Sequence, residues 1–295
     1  MLISNQNAGC VSPGVFLCAL LRFLLPRKKN IKTPFLLLAA LWLCWSGPLA
    51  WADCGFQSTL PEIAIRRVVD GDTLVREDGA RLRLASVNTP ELASGGGVAQ
   101  ALAFEARKQV EAFVEQGEHF YWRSAPGKTD RYGRQLGELY SQAGESLSRQ
   151  LLRRGLGFYV AVAPVPEWWP CLYRAENTAR QKQLGVWRHP DYQPIPASTV
   201  TVGDGGFQRL YGRVEDIDRG GQWVWVELDG PVVLRLSAEA YRASQLAVGQ
   251  TVEVSGWLID RRTSRAHRQG HKRWLLQVTH PSVLRPAGEQ APALE

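Results

Sequence analysis

VVDGDTLVREDGARLRLASVNTPE, residues Val68 to Glu91, alternates apolar and polar side chains around two turn signals, Asp70-Gly71-Asp72 and Asp78-Gly79. A period of two broken by Asp-Gly pairs is the pattern of consecutive antiparallel strands. The alternation already begins at Glu62 and runs through Ile63, Ile65 and Val68. Downstream, Ala99 to Glu115 has helical spacing, with Leu102, Ala106, Val110, Phe113 and Val114 toward one side and Gly117 just past the end. Strands are expected at His119 to Arg123 and Gln135 to Tyr140, and helices at Leu147 to Arg154 and about Leu172 to Leu184, stopped by Gly155 and Gly185. Strands with helices set aside make an α+β domain over residues 55–190.

Residues 191–204, rich in proline at their start, read as a linker. Residues 205–285 have a different character. Five strand-like runs, Gln208 to Ile217, Gln222 to Leu228, Val232 to Leu236, Thr251 to Ile259 and Arg273 to Thr279, enclose one helix-compatible stretch, Ala238 to Leu246. A helix after the third of five strands is the element order of an OB barrel, and a small sandwich would read similarly. Residues 286–295 are expected to be a flexible tail.

The 295 residues carry 35 Lys and Arg against 28 Asp and Glu, a net charge of +7. Residues 1–52 contain Arg22, Arg27, Lys28, Lys29 and Lys32 and no acid, so the remainder holds 30 cations against 28 acids and global charge says little about partners. Those cations precede the apolar run Phe35 to Trp45, and Gly47 and Pro48 lead into Ala50-Trp51-Ala52. That order is a secretory signal cleaved before Asp53, which implies an exported protein, periplasmic or extracellular, with no stable membrane association afterwards. A membrane anchor is the alternative, but the run is short for a span of ~20 residues. Cys54 and Cys171 would then be the cysteines left in the mature chain, a candidate disulfide in an oxidising compartment.

Asp70-Gly71-Asp72-Thr73 sits at a strand turn and Asn88-Thr89-Pro90-Glu91 where another strand ends. If those strands are neighbours, Asp72, the Asn88 amide oxygen and the Thr89 carbonyl can converge on one hard cation, and Ca²⁺ suits a mixed oxygen shell. Each segment alone is also what an ordinary turn and an ordinary strand end look like. Arg83, on the strand Arg81 to Val87, and Arg134, closing Thr129-Asp130-Arg131-Tyr132-Gly133-Arg134, have the planar guanidinium that matches two phosphate oxygens. Strand alternation equally allows Arg81 and Arg83 to form an outer face, with Leu82 and Leu84 inward.

At these residues the chain resembles the staphylococcal-nuclease (thermonuclease) family. Val68 to Glu91, TDRYGRQLGELY (Thr129 to Tyr140), LLRRGL (Leu151 to Leu156) and ARQKQLGVW (Ala179 to Trp187) follow its successive signatures, covering about residues 62–188. The resemblance implies a five-stranded OB barrel with three helices and calcium-dependent hydrolysis of DNA and RNA at the 5′-oxygen side. It makes Asp72 a calcium ligand, Thr89 a carbonyl ligand, Glu91 the general base or water-orienting acid, and Arg83 and Arg134 the phosphoryl-binding arginines. Arg131 and Tyr132 fall at substrate-binding positions. The family's second metal carboxylate is Asn88 here, which removes one ligand charge and predicts weaker calcium binding. Two family tyrosines align with Ala161 and Ala163, so their stacking contacts are missing, and Trp168 and Trp169 are candidates to replace them.

In the second region Arg261, Arg262, Arg265, Arg268, Lys272 and Arg273 fall between the fourth and fifth strands with no acid from Arg261 to Arg273, a candidate accessory nucleic-acid grip. Trp223, Trp225 and Trp257 could join as a stacking platform, although Glu227 and Glu253 share their expected faces and would repel phosphate. The expected function is an exported calcium-dependent endonuclease acting on DNA, RNA or both, with nucleic acid as its partner and no protein partner. The alternatives are a catalytically weak nucleic-acid-binding module that keeps the fold, or a cell-envelope interaction protein.

Overall fold

The computed structural model describes residues 54–93 and 97–286, so the expected signal and most of the expected tail lie outside the described residues. The first sheet is built from β1 (Glu62–Ile63), β2 (Ile65–Val68), β3 (Thr73–Arg76) and β4 (Arg81–Leu84), then β6 (Phe120–Thr129) and β7 (Gln135–Ser141) after α1 (Ala103–Glu115). The strand order is β1-β6-β7-β4-β3-β2, with β4 and β7 parallel and the other pairs antiparallel. Only Ala64 separates β1 from β2, so one bent strand borders both ends of the sheet and closes it into a barrel. A separate two-stranded ladder pairs β5 (Val87–Asn88) with β8 (Phe158–Tyr159). This is an OB-like α+β arrangement: the α+β class is what the residue pattern predicts, and the barrel is what the family resemblance implies.

The helices begin and end where local chemistry allows. α1 starts at Ala103 rather than Ala99 because Leu102 has φ +66°, outside the helical region. It buries Ala103, Ala106, Val110 and Phe113 at helical spacing. α2 (Leu147–Arg153) is capped by the Ser146 hydroxyl, which accepts from the Arg149 N–H at 3.0 Å. α3 (Trp169–Gln181) starts earlier than the periodicity suggests because Pro170 suits the first helical turn, where its missing N–H costs nothing.

The second sheet contains β9 (Ile195–Pro196), β10 (Gly206–Asp218), β11 (Trp223–Leu228) and β12 (Val232–Ser237). After α4 (Ala238–Ser244) follow β13 (Thr251–Asp260), α5 (Arg265–Arg268), β14 (Trp274–Val278) and β15 (Leu284–Pro286). β10 pairs with β11, β11 with β12, β12 in parallel with β14, β14 with β13, and β13 back with β10. The five strands therefore form a closed ring lined by Leu210, Val226, Leu234, Val254, Leu258 and Leu276. The stretch 191–204 is tied down: β9 pairs with β10, and the Tyr192 hydroxyl donates to the Ala101 carbonyl at 2.5 Å.

The described residues form one compact unit, and charge and aromatics join the two sheets within it. Glu253 on β13 accepts from Arg180 of α3 at 2.6 Å and from Arg209 of β10 at 2.7 Å. Arg285 reaches Glu176 at 2.7 Å, and Phe158 packs on Phe207 with centroids 5.2 Å apart. Cys54 and Cys171 are disulfide-bonded, tying the start of the described chain to α3. Among the described residues no helix is long and apolar enough to cross a membrane.

Candidate active site

The turn between β2 and β3 places Asp72 inside the protein. The Asp70 carboxylate accepts the Asp72 N–H at 3.0 Å, holding the turn. Gly71 has no room for a side chain: a Cβ there would lie 2.6 Å from Thr89 Oγ1 and 2.8 Å from the Ala106 Cβ. The two segments that sequence keeps 17 residues apart are thus pressed together, and the Thr89 N–H donates to Asp72 Oδ2 at 3.2 Å.

Asp72 is 1% exposed and forms an ion pair with Arg83. Thr73 Oγ1 donates to its Oδ1 at 3.0 Å. The same guanidinium donates from Nη2 to Asn88 Oδ1 at 3.1 Å, so Arg83 spans the two oxygens expected to ligate a cation. Arg83 accordingly lies on the site side of β4, while Arg81 is exposed and Leu82 and Leu84 enter the core. Burial pushes the Asp72 carboxyl up to about 7; the Arg83 charge opposes this, Asp70 adds to it, the Thr89 N–H opposes it and Glu91 adds to it.

Arg134 comes from the β6–β7 turn. Asp130 fixes it by accepting from its Nε at 2.7 Å and its N–H at 3.0 Å, and Arg134 Nη1 reaches Thr73 Oγ1 at 3.5 Å. Glu91 reaches solvent, yet the packing around its carboxyl raises its pKa, Asp70 raises it further, and Arg83 and Arg134 lower it. Asp72, Arg83, Glu91 and Arg134, far apart in the chain, therefore share one electrostatic field. Tyr132 is 67% exposed beside them, with Arg131 4.8 Å and Arg134 5.5 Å from its ring centroid. Asp70 is the residue that sequence reasoning missed: its place in a turn concealed a third carboxylate in the cluster, for which the Asp-x-Asp spacing was the available signal.

Among the described residues no three His, Cys, Asp or Glu side chains are grouped closely enough to hold a metal alone. The donor set is nevertheless all oxygen, and Asp72 Oδ1 and Asn88 Oδ1 already converge on a single positive group. That convergence and chemistry fit a hard divalent cation held with help from the Thr89 carbonyl and water.

Trp168 and Trp169 do not replace the missing tyrosines. Trp168 is buried with Arg123 4.8 Å above its ring, and Trp169 packs on His280 and Tyr173, because Pro170 and the disulfide at Cys171 draw this turn of α3 inward. The basic connection of the second sheet is partly neutralised by flanking strands. Arg262 and Arg273 pair with Asp260, Lys272 pairs with Glu215 and Glu227, and Arg261 donates to the Lys272 carbonyl with its guanidinium 5.7 Å from the Trp225 centroid. Arg265 and Arg268 are exposed on α5. Glu253, expected beside Trp257, instead faces Arg180 and Arg209.

Part of the chain is similar to known proteins. Residues 81–189 match the family described as staphylococcal nuclease homologue. The chain is 30% identical over 166 residues to a micrococcal nuclease of Shigella flexneri, covering 52% of this chain and 85% of that protein. It is 29% identical over 133 residues to an "uncharacterized endonuclease" of Escherichia coli O157:H7, covering 44% of this chain and 78% of the relative. The family match and the 30% identity over 85% of the micrococcal nuclease show that the chain belongs to the staphylococcal nuclease family.

Proposed function

We propose that the protein is a calcium-dependent nuclease that hydrolyses phosphodiester bonds of DNA, RNA or both outside the cytoplasm. The observation that carries this reading is the convergence of Asp72, Arg83, Glu91 and Arg134, supported by family relatives named as nucleases. Asp72, Asn88 and the Thr89 carbonyl would hold calcium, which supplies Lewis-acid polarisation of a phosphoryl oxygen. Glu91, with its raised carboxyl, accepts or orients the proton of the attacking water. Arg83 on β4 and Arg134 in the β6–β7 turn bind the charge that builds on the phosphoryl oxygens. Arg131 and Tyr132 flank the neighbouring nucleotide, with the ring of Tyr132 exposed for stacking.

Export rests on the leader pattern of residues 1–52, and the Cys54–Cys171 disulfide accords with an oxidising compartment. Residues 205–285 serve as an accessory OB-like barrel. A second reading, a binding module with weak catalysis, draws support from Asn88, which brings no charge to the cation. Digestion of single-stranded DNA with calcium or with chelator separates the two: calcium-dependent cleavage supports the nuclease, and chelator-insensitive binding without cleavage supports the module.

A further inference from the structure

A groove of about 250 Å³ runs between the segment Val160–Ala163 and the outer face of β13 and β14. Trp257 on β13, 40% exposed, stands in it together with Ile259, Gln277 and Thr279. On the facing wall, positions 161 and 163 carry only alanine methyl groups. Exposed large apolar residues of separate chain segments, Val162, Trp257 and Ile259, meet in this one place.

The groove is built firmly. Thr279 Oγ1 donates to the Ala161 carbonyl, clamping the 160–163 segment to the end of β14. The Trp257 ring rests edge-on against Phe207 at 5.4 Å and 74°, and Phe207 packs on Phe158, whose backbone pairs with Asn88. Gln277 Oε1 accepts from Arg235 at 2.6 Å, so the amide NH₂ is what Gln277 can offer a ligand. None of the lining residues is acidic, and Glu253, the acid that strand parity assigns to the same face, is engaged by Arg180 and Arg209.

The segment that walls the groove also approaches the strand that leads to the candidate active site. Pro164 follows its Ala163 wall, and a Cβ on Gly127 would touch the Pro164 ring at 3.7 Å. Gly127 lies on β6, whose turn to β7 carries Arg131, Tyr132 and Arg134. We infer that the groove beside Trp257 binds a nucleobase of single-stranded substrate beyond the scissile phosphate. The accessory barrel thereby supplies the stacking surface that Ala161 and Ala163 cannot. Trp257 stacks on the base, Gln277 donates to its edge, and the sequence tolerance typical of stacking follows because every base has a π-face. This inference rests on the nuclease reading and deepens it.

The test compares the affinity of the full chain, in chelator, for a dinucleotide and for a fluorescent single strand of about ten nucleotides. The long strand is expected to bind far more tightly, and Trp257→Ala to weaken it about tenfold or more, with Trp257→Tyr restoring most of the gain. Val248→Ser, which removes a distant exposed apolar side chain, is expected to keep the full length advantage, and circular dichroism melting checks that each variant is folded. A folded Trp257→Ala variant that keeps the length advantage overturns the inference even if the protein cleaves DNA. A parent chain that neither binds nor cleaves in calcium overturns the nuclease reading and this inference with it.

Discussion

The Arg83 guanidinium forms an ion pair with the buried Asp72 carboxylate and, through its other terminal nitrogen, donates to Asn88 at 3.1 Å. One side chain therefore aligns two oxygens expected to ligate a cation, and it does so from the strand between them. Arg83→Ala leaves Asp72 buried without its cation and removes a donor to the phosphoryl group. The expected result is a fall in kcat of at least ~100-fold and a loss of about 3 kcal/mol in stability, read from single-turnover cleavage and urea unfolding.

Asn88→Asp places a second carboxylate against the same guanidinium. Added ligand charge strengthens calcium binding, so half-maximal activity should move to lower calcium concentration by about tenfold. Calcium titration of cleavage checks this, and an unchanged midpoint removes Asn88 from the ligand set.

Glu138, on β7, is fully buried and accepts from Ser146 Oγ at 3.0 Å and the Ser148 N–H at 2.9 Å at the start of α2. Burial pushes its carboxyl up to about 7, against an ordinary value near 4.5. The folded state thus holds a proton that the unfolded state has already released between those values, so this group's contribution weakens as pH rises from about 4.5 through about 7. Glu138→Gln, which cannot ionise, should therefore gain stability relative to the parent chain as pH increases from 5 to 8, by a few kcal/mol at most. Chemical denaturation at both pH values measures the difference.

Glu253 neutralises Arg180 and Arg209 at the junction of the two sheets. Glu253→Ala strands two largely buried guanidinium groups and is expected to cost about 3 to 5 kcal/mol. Calorimetry should show a lowered melting temperature for the whole unit, because the junction shares its core contacts with both sheets.

The Cys54–Cys171 bridge closes a loop with a sequence separation of 117. Loop entropy of that size stabilises by about 4 to 5 kcal/mol in the chain-entropy picture. Dithiothreitol should lower the melting temperature of the parent chain and leave Cys54→Ala with Cys171→Ala unaffected.

Much of this arrangement was legible in the residues because it is local. The Asp70-Gly71-Asp72 and Asp78-Gly79 turns, the alternation from Val68 to Val87 and the spacing of Val110 and Phe113 each depend on near neighbours. Helix starts were less so: Leu102 adopts a left-handed conformation that no side-chain pattern announces. What pairs across the fold was the least legible. The acids that neutralise Arg262, Lys272 and Arg273 sit on other strands or at the strand end, and Glu253 points to α3 and β10 instead of into solvent beside Trp257. Parity along β4 allows Arg83 an outer face beside Arg81, and only the approach of Thr89 to Gly71 shows why that face is a site.

The central claim is that Asp72, Arg83, Glu91 and Arg134 act on one scissile diester. The most direct measurement is the calcium-dependent cleavage rate of single-stranded DNA by the parent chain and by Glu91→Gln. Cleavage by the parent that stops with chelator and falls at least ~100-fold in Glu91→Gln is the predicted result. Equal rates for the two proteins, or cleavage indifferent to chelator, would contradict it.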